Sequence, residues 1–189
     1  MIEVELRAKA DLAAVEKNLK KLGAKFVGEK HDADQYYSIP GQAPGFSGRL
    51  AGKGVARIRV QEWLAGRAKG EKKVFLTVKV LPGESHAVRL ESEVQVSDAG
   101  SAADVLEALG CKKVLSLDKQ RKLYSLDGLA VLLDKVSGLG NFVEVACERK
   151  SVNVLAARRN VLSLFGKLGV PAPQVLEDSY YSLALNKTR

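Results

Sequence analysis

From Met1 to Lys9 charged and apolar residues alternate at period two, with Glu3, Glu5 and Arg7 on one side and Val4 and Leu6 on the other. Side chains along a strand alternate faces, so this segment reads as a strand. The period then changes: Leu12, Val15, Leu19 and Leu22 recur at helical spacing behind Asp11, a capping residue, and Gly23 closes the helix. A strand is predicted from about Ala24 to Ile39. Three more cover Val55 to Trp63, Lys72 to Leu81 and Ala87 to Val96, separated by the turn-forming stretches GRAKGE and PGES. Ser97 or Ser101 is placed to cap a short helix to about Leu109, closed by Gly110. Strands over Cys111 to Ser125, Leu129 to Val136 and Phe142 to Arg149 follow, joined by an Asp127-Gly128 turn and by SGLG. Helices are expected from Val152 to Leu168 and, past a PAP break, from about Leu176 to Leu185. The segment Pro40 to Gly54, with Gly41, Gly45, Gly48, Gly52 and Pro44 inside it, is expected to be a loop and a candidate lid.

The charged parity persists through the strands. Arg57 and Arg59, Lys79, Arg89 with Glu91 and Glu93, Lys119 and Arg121, Asp134, and Glu144 with Glu148 all share it, while Ile58, Val60, Val78, Val80, Leu90, Val94, Leu133, Val143 and Val145 hold the other. A half-buried sheet with a solvated face would also separate charge from apolar residues, and that reading stays open, as does a nucleic-acid groove. Some of these strands, however, carry only basic residues on that face and others only acidic ones, which points to a site. If the sheet closes, one parity must turn inward and the amphipathic helices cover the other. The expectation is an α+β fold built on a closed antiparallel β-barrel with a charged interior. Interior charges are costly unless paired, hydrated or met by a ligand of opposite sign. A triphosphate with Mg2+ or Mn2+ supplies both signs. Hard cations prefer carboxylate oxygen, so Glu3, Glu5, Asp134 and Glu144 form the candidate metal set. Arg57, Arg59 and Arg121 offer planar forks for phosphate, and Lys79 and Lys119 compact charges.

Across 189 residues no composition break separates two domains, so residues 1-189 read as one. The net charge of +8 suggests a polyanionic partner without identifying it. Lys17, Lys20, Lys21 and Lys25 cluster near the first helix but lack an aromatic stacking platform, so they read as a solvated face and no nucleic-acid partner is expected. Trp63 reads as a packing residue, and His31 and His86 carry no assigned chemistry. Cys111 and Cys147 lack metal-ligand spacing and are expected to be reduced and buried. With no secretory signal and no apolar run long enough to span a membrane, the expected setting is the cytoplasm.

The segment Glu3-Val4-Glu5-Leu6-Arg7 resembles the ExExK signature of the CYTH superfamily, the triphosphate tunnel metalloenzymes. The likeness continues in order through ARIRV, LTVKV, RLESEV, KQR, VLLDKVSGLGNFVEV and SYYSLAL, covering nearly the whole chain. It implies an eight-stranded closed antiparallel tunnel with helices packed outside. The DADQYYSIP, DKVSGLGNFVE and SYYSL segments are most similar to the cyclase-type, CyaB-like branch. That implies a class IV-type adenylyl cyclase converting ATP to cyclic AMP and pyrophosphate. The alternatives are a tripolyphosphatase or thiamine triphosphatase, or a non-catalytic polyphosphate- or nucleotide-binding module; a homodimer is allowed for. Carried over by position, Glu3 and Glu5 resemble the metal pair, completed by Asp134 and Glu144. Arg57, Arg59, Lys79, Lys119 and Arg121 resemble the triphosphate grips, and Arg7, Glu91 and Glu93 are the candidate catalytic residues. Two departures stand out. Arg7 replaces a lysine and cannot readily give up a proton. Ala146 replaces the second carboxylate of a closing ExE, with Glu148 next on the same parity.

Overall fold

The charged parity does face inward, because the strands close. A computed structural model describes residues 2-40, 54-80, 88-149 and 153-187. Its strands are β1 (Ile2–Lys9), β2 (Lys25–Ser38), β3 (Gly54–Gly66), β4 (Lys72–Val80), β5 (Val88–Val96), β6 (Lys112–Leu126), β7 (Leu129–Val136) and β8 (Gly140–Arg149). They form a closed antiparallel barrel in the order β1-β5-β4-β3-β2-β6-β7-β8. Eight strands enclose a bore that side chains can nearly fill or that can admit one ligand.

The outer parity makes the core. Helices α1 (Leu12–Lys21) and α3 (Val154–Lys167) lay Val15, Leu19, Val161, Leu164 and Phe165 on Val4, Leu6, Val131, Leu133, Val143 and Val145. Helix α2 (Ala99–Ala108) covers Ala56, Ile58, Leu76 and Val78 on the opposite wall. Helix α4 (Tyr180–Lys187) behaves differently: with Leu176, Tyr180, Tyr181, Leu183 and Ala184 its segment docks on Tyr36, Leu117, Val136 and Phe142. Those four share the inward parity, so apolar residues replace charges where this segment packs.

Local chemistry explains the boundaries. Asp11 caps α1 by accepting from Ala13 N at 2.9 Å, and Asp127 (φ 51°) with Gly128 (φ 75°) makes the two-residue turn between the paired Leu126 and Leu129. Both positive φ values match the primed hairpin turn that suits strand twist. Two expectations need correction. The cap of α2 is Asp98, neither Ser97 nor Ser101; its carboxylate accepts from the Ser101 backbone N–H at 2.6 Å. The last helix starts at Tyr180 rather than Leu176, because Leu176 spends its backbone on a two-way bridge to Arg7 (3.1 and 2.6 Å) behind a 3-10 turn at Ala172–Gln174. Most of the candidate lid, residues 41-53, lies outside the described residues. Cys111 and Cys147 are free and buried, as expected. No described helix is long and apolar enough to cross a membrane.

Candidate active site in the barrel interior

The barrel surrounds a cavity of about 1090 Å³, lined by residues from all eight strands and by Ser179 to Ser182 from the C-terminal segment. Glu5, Arg59, Arg121 and Asp134, which the sequence requires to converge, are all buried inside, the last at 0% exposure. Arg7, Arg57, Lys119 and Glu144 are buried with them. Lys79, Glu3, Glu91, Glu93 and Glu148 line the same cavity. The side chain of Arg89 lies outside the described residues; its backbone pairs with Glu3.

The interior contains carboxylates that the sequence reading passed over. Asp34 accepts both arms of the Arg59 fork (Nε 2.7 Å, Nη2 2.9 Å), the Lys119 ammonium and the Tyr36 hydroxyl (3.1 Å). Asp32 accepts from Gln61 (3.1 Å) and faces Arg59 (3.3 Å), Arg121 (3.4 Å) and Lys30 (3.8 Å). Burial alone would raise both aspartates, but Arg59 first, with the other surrounding cations, holds them well below the ordinary carboxylate range. Arg121 makes a fork on Asp134 (2.8 and 2.6 Å) and donates to Glu144 (2.7 Å). Asp134 also accepts from the Tyr180 hydroxyl at 2.7 Å. Arg7 is clasped by Glu5, by Glu144 (3.2 and 3.0 Å) and by the Asp178 carbonyl, under the Tyr180 ring at 4.7 Å. Its charge is secured, since burial, which would lower it, is outweighed by Glu144. Lys119 goes the other way: burial, then repulsion from Arg59, brings it down to about 7 despite Asp34.

Seven interior cations (Arg7, Lys30, Arg57, Arg59, Lys79, Lys119, Arg121) thus meet nine carboxylates (Glu3, Glu5, Asp32, Asp34, Glu91, Glu93, Asp134, Glu144, Glu148) among the described residues. Two features of the interior ask for a ligand. Arg57 donates to Thr77 (3.1 Å) and sits 3.4 Å from Glu91 and Glu93, yet among the described residues its buried Nε finds no hydrogen-bond partner. An orphaned buried donor is costly, and an anionic oxygen would satisfy it. On the acidic side Glu3 and Glu148 are register partners, like charges set directly opposite each other. Burial, then Glu3 and Glu91, raise the Glu148 carboxyl above its ordinary value. Hard oxygen donors under mutual repulsion fit a divalent cation. They do not form a ready cage: no three metal-binding groups are gathered for an ion among the described residues. Glu3 is engaged by Lys79 (2.8 Å) and Glu5 by Arg7, so metal binding requires these partners to be exchanged. Ala146 stands opposite Glu5 in the register and lines the cavity.

Trp63 lies over Gly28, where an added Cβ would come within 2.7 Å of its ring, with the Lys30 ammonium 5.6 Å from the ring centre. This agrees with a packing residue. His31 faces the exposed Asp118 at 3.1 Å, away from the interior network.

Comparison with known proteins agrees with this geometry. Residues 1–180 match the family model described as the CYTH domain. The chain is 27% identical to the Methanocaldococcus jannaschii protein named "Putative adenylate cyclase MJ0240", over 97% of this chain and 98% of that protein. It is 33% identical to "Adenylate cyclase CyaB" of Aeromonas hydrophila, over 48% of each. The solved structure of the PH1819 protein from Pyrococcus horikoshii superposes with a TM-score of 0.81 at 28% identity, covering 98% of this chain and 99% of that one.

Proposed function

Because the chain belongs to the CYTH family, we propose that it is a metal-dependent triphosphate-processing enzyme, specifically a class IV-type adenylyl cyclase making cyclic AMP and pyrophosphate from ATP. The observation that carries this reading is the barrel cavity in which the orphaned Arg57 donor accompanies the buried Arg59, Lys119 and Arg121, with the like-charged Glu3 and Glu148 paired in the same lining. Burial of these cations matters because water screening is reduced, and fixed charges then act more strongly on charge that develops during reaction.

In this reading Arg57, Lys79, Lys119 and Arg121 receive the phosphate oxygens, and Arg59 holds the Asp32 and Asp34 scaffold behind them. Glu3 and Glu5, with Glu148 in place of the carboxylate missing at Ala146, would hold Mg2+ or Mn2+. Such an ion, when bound, neutralises charge on the phosphates. Asp134 and Glu144 could reach it only by releasing Arg121 and Arg7, so their task here is to hold those two guanidiniums. The ribose 3′-oxygen forms its bond to the α-phosphorus as the bond to the bridging oxygen of the β-phosphate breaks. Pyrophosphate leaves with that electron pair, and the hydroxyl proton passes to a cavity carboxylate, Glu91 or Glu93, and from there to solvent; Arg7, whose raised pKa keeps it charged, stabilises charge alone. Glu91 and Glu93 line the cavity beside Arg57 and help orient the attacking hydroxyl.

Purified protein incubated with Mg2+ or Mn2+ and ATP, tripolyphosphate or thiamine triphosphate tests the proposal, with Glu3→Ala and Arg121→Ala as controls. Cyclic AMP with pyrophosphate is the expected result. Orthophosphate alone would move the assignment to a triphosphatase, since both reactions use the same clamp and differ in the attacking group. Binding without turnover, with activity gained by Ala146→Glu, would make it a binding module.

A further inference from the structure

We propose that Tyr180 is a positioning residue of the interior site, holding Arg121 through Asp134 by its hydroxyl while its ring face steadies Arg7 and Lys119. The inference rests on the reading above only in taking these cations to receive a triphosphate. Tyr180 is buried, on a helix outside the ring of strands, yet its polar atom and its ring are both directed to interior charges. The hydroxyl donates to Asp134 Oδ2 at 2.7 Å, the same oxygen that accepts from Arg121 Nη2 at 2.6 Å. The ring centre lies 4.7 Å from the Arg7 guanidinium and 5.8 Å from the Lys119 ammonium. The peptide just before it completes the grip, with the Asp178 carbonyl accepting from Arg7 and Leu176 bridged to the Arg7 backbone in both directions.

Docking of α4 does not require any of this. Leu176, Tyr181, Leu183 and Ala184 already pack on the apolar end of the barrel, and a phenylalanine would meet the Phe142 ring, 5.2 Å away, as well as tyrosine does. What the hydroxyl adds is a second donor on Asp134, which orients that carboxylate for the Arg121 fork. Preorganised donors are what an electrostatic clamp depends on.

The test compares Tyr180→Phe, Tyr180→Leu and Leu183→Ala in the full chain, the last loosening α4 without touching the charge network. Calorimetric binding of tripolyphosphate with Mg2+ should weaken about tenfold in Tyr180→Phe, the scale of one hydrogen bond to a charged group. It should weaken further, toward about a hundredfold, in Tyr180→Leu, where the cation–ring contacts are lost as well. In Leu183→Ala the melting temperature falls while affinity stays within about twofold of the starting protein, the usual range for a substitution away from the binding network. Hydrogen exchange of the Arg121 Nε–H, followed by NMR without ligand, should quicken in Tyr180→Phe. Equal affinity and equal exchange in Tyr180→Phe and the unaltered protein would overturn the assignment, as would an affinity loss in Leu183→Ala matching that of Tyr180→Leu. If tripolyphosphate fails to bind at all while the exchange change is still seen, the positioning role stands and the triphosphate reading falls.

Discussion

Truncating Asp34 should destabilise the protein heavily and at the same time make it more responsive to a polyanion. Asp34 is 1% exposed and is held by the Arg59 fork, Lys119 and Tyr36. In Asp34→Ala, Arg59 keeps only its 3.3 Å approach to Asp32, and Lys119 loses its carboxylate. Breaking a buried ion pair by removing one partner costs about 3–5 kcal/mol, because the remaining charge stays buried without compensation. For a chain of this size each kcal/mol lowers the melting temperature by about 2–4 °C, so a fall of about 6–20 °C is expected in calorimetry. The pH dependence has a definite sign. A carboxylate held below its ordinary pKa in the folded state contributes stability above that ordinary value and loses it as pH falls toward the folded one. The gap between the two proteins should therefore narrow below about pH 4. Lys119 without its carboxylate, and Arg59 left with Asp32 alone, should also welcome phosphate, so Mg2+ with tripolyphosphate should raise the melting temperature of Asp34→Ala by more than that of the unaltered protein. A loss below about 1 kcal/mol, the scale of an exposed pair, or an equal ligand shift in both proteins, would refute the reasoning.

Lys119, lowered to about 7 by burial and by Arg59, should lose its charge as pH rises through that value. Tripolyphosphate affinity should then fall above about pH 7 relative to Lys119→Arg, which stays charged; parallel pH profiles in calorimetry would contradict this. Mn2+ binding followed by electron paramagnetic resonance should weaken about tenfold in Glu148→Gln and tighten in Ala146→Glu, since each change alters the number of charged oxygen ligands. No response to Glu148→Gln would remove Glu148 from the cation site.

The barrel was legible because the alternation is unambiguous where the outer face is apolar. In β1, β7 and β8, Val4, Leu6, Val131, Leu133, Val143 and Val145 identify the buried outer layer, and the charges between them can only point inward. Strand β2 lacks that contrast. In KFVGEKHDADQYYS the outward positions Glu29, His31 and Gln35 are as polar as the inward Lys30, Asp32 and Asp34, so nothing local marks the two aspartates as interior. A signal did exist: Asp32 and Asp34 share parity with Tyr36, a pattern that becomes informative once β2 is placed between β3 and β6. Asp134 was correctly placed inside, but its tie to Tyr180 spans 46 residues and rests on how α4 docks, which periodicity does not encode. Ser97 and Ser101 attracted the α2 cap because serine is a good capping residue, although Asp98 between them had the same chemistry and the right backbone.

Crystals grown with Mn2+ and a non-reacting ATP analogue provide the most direct test, with anomalous scattering used to locate the ion. The account predicts an ion peak inside the barrel against Glu3 and Glu5, with phosphate oxygens on Arg57, Lys119 and Arg121. An analogue bound only to the lysine-rich exterior, with the bore still occupied by its own ion pairs, would contradict it.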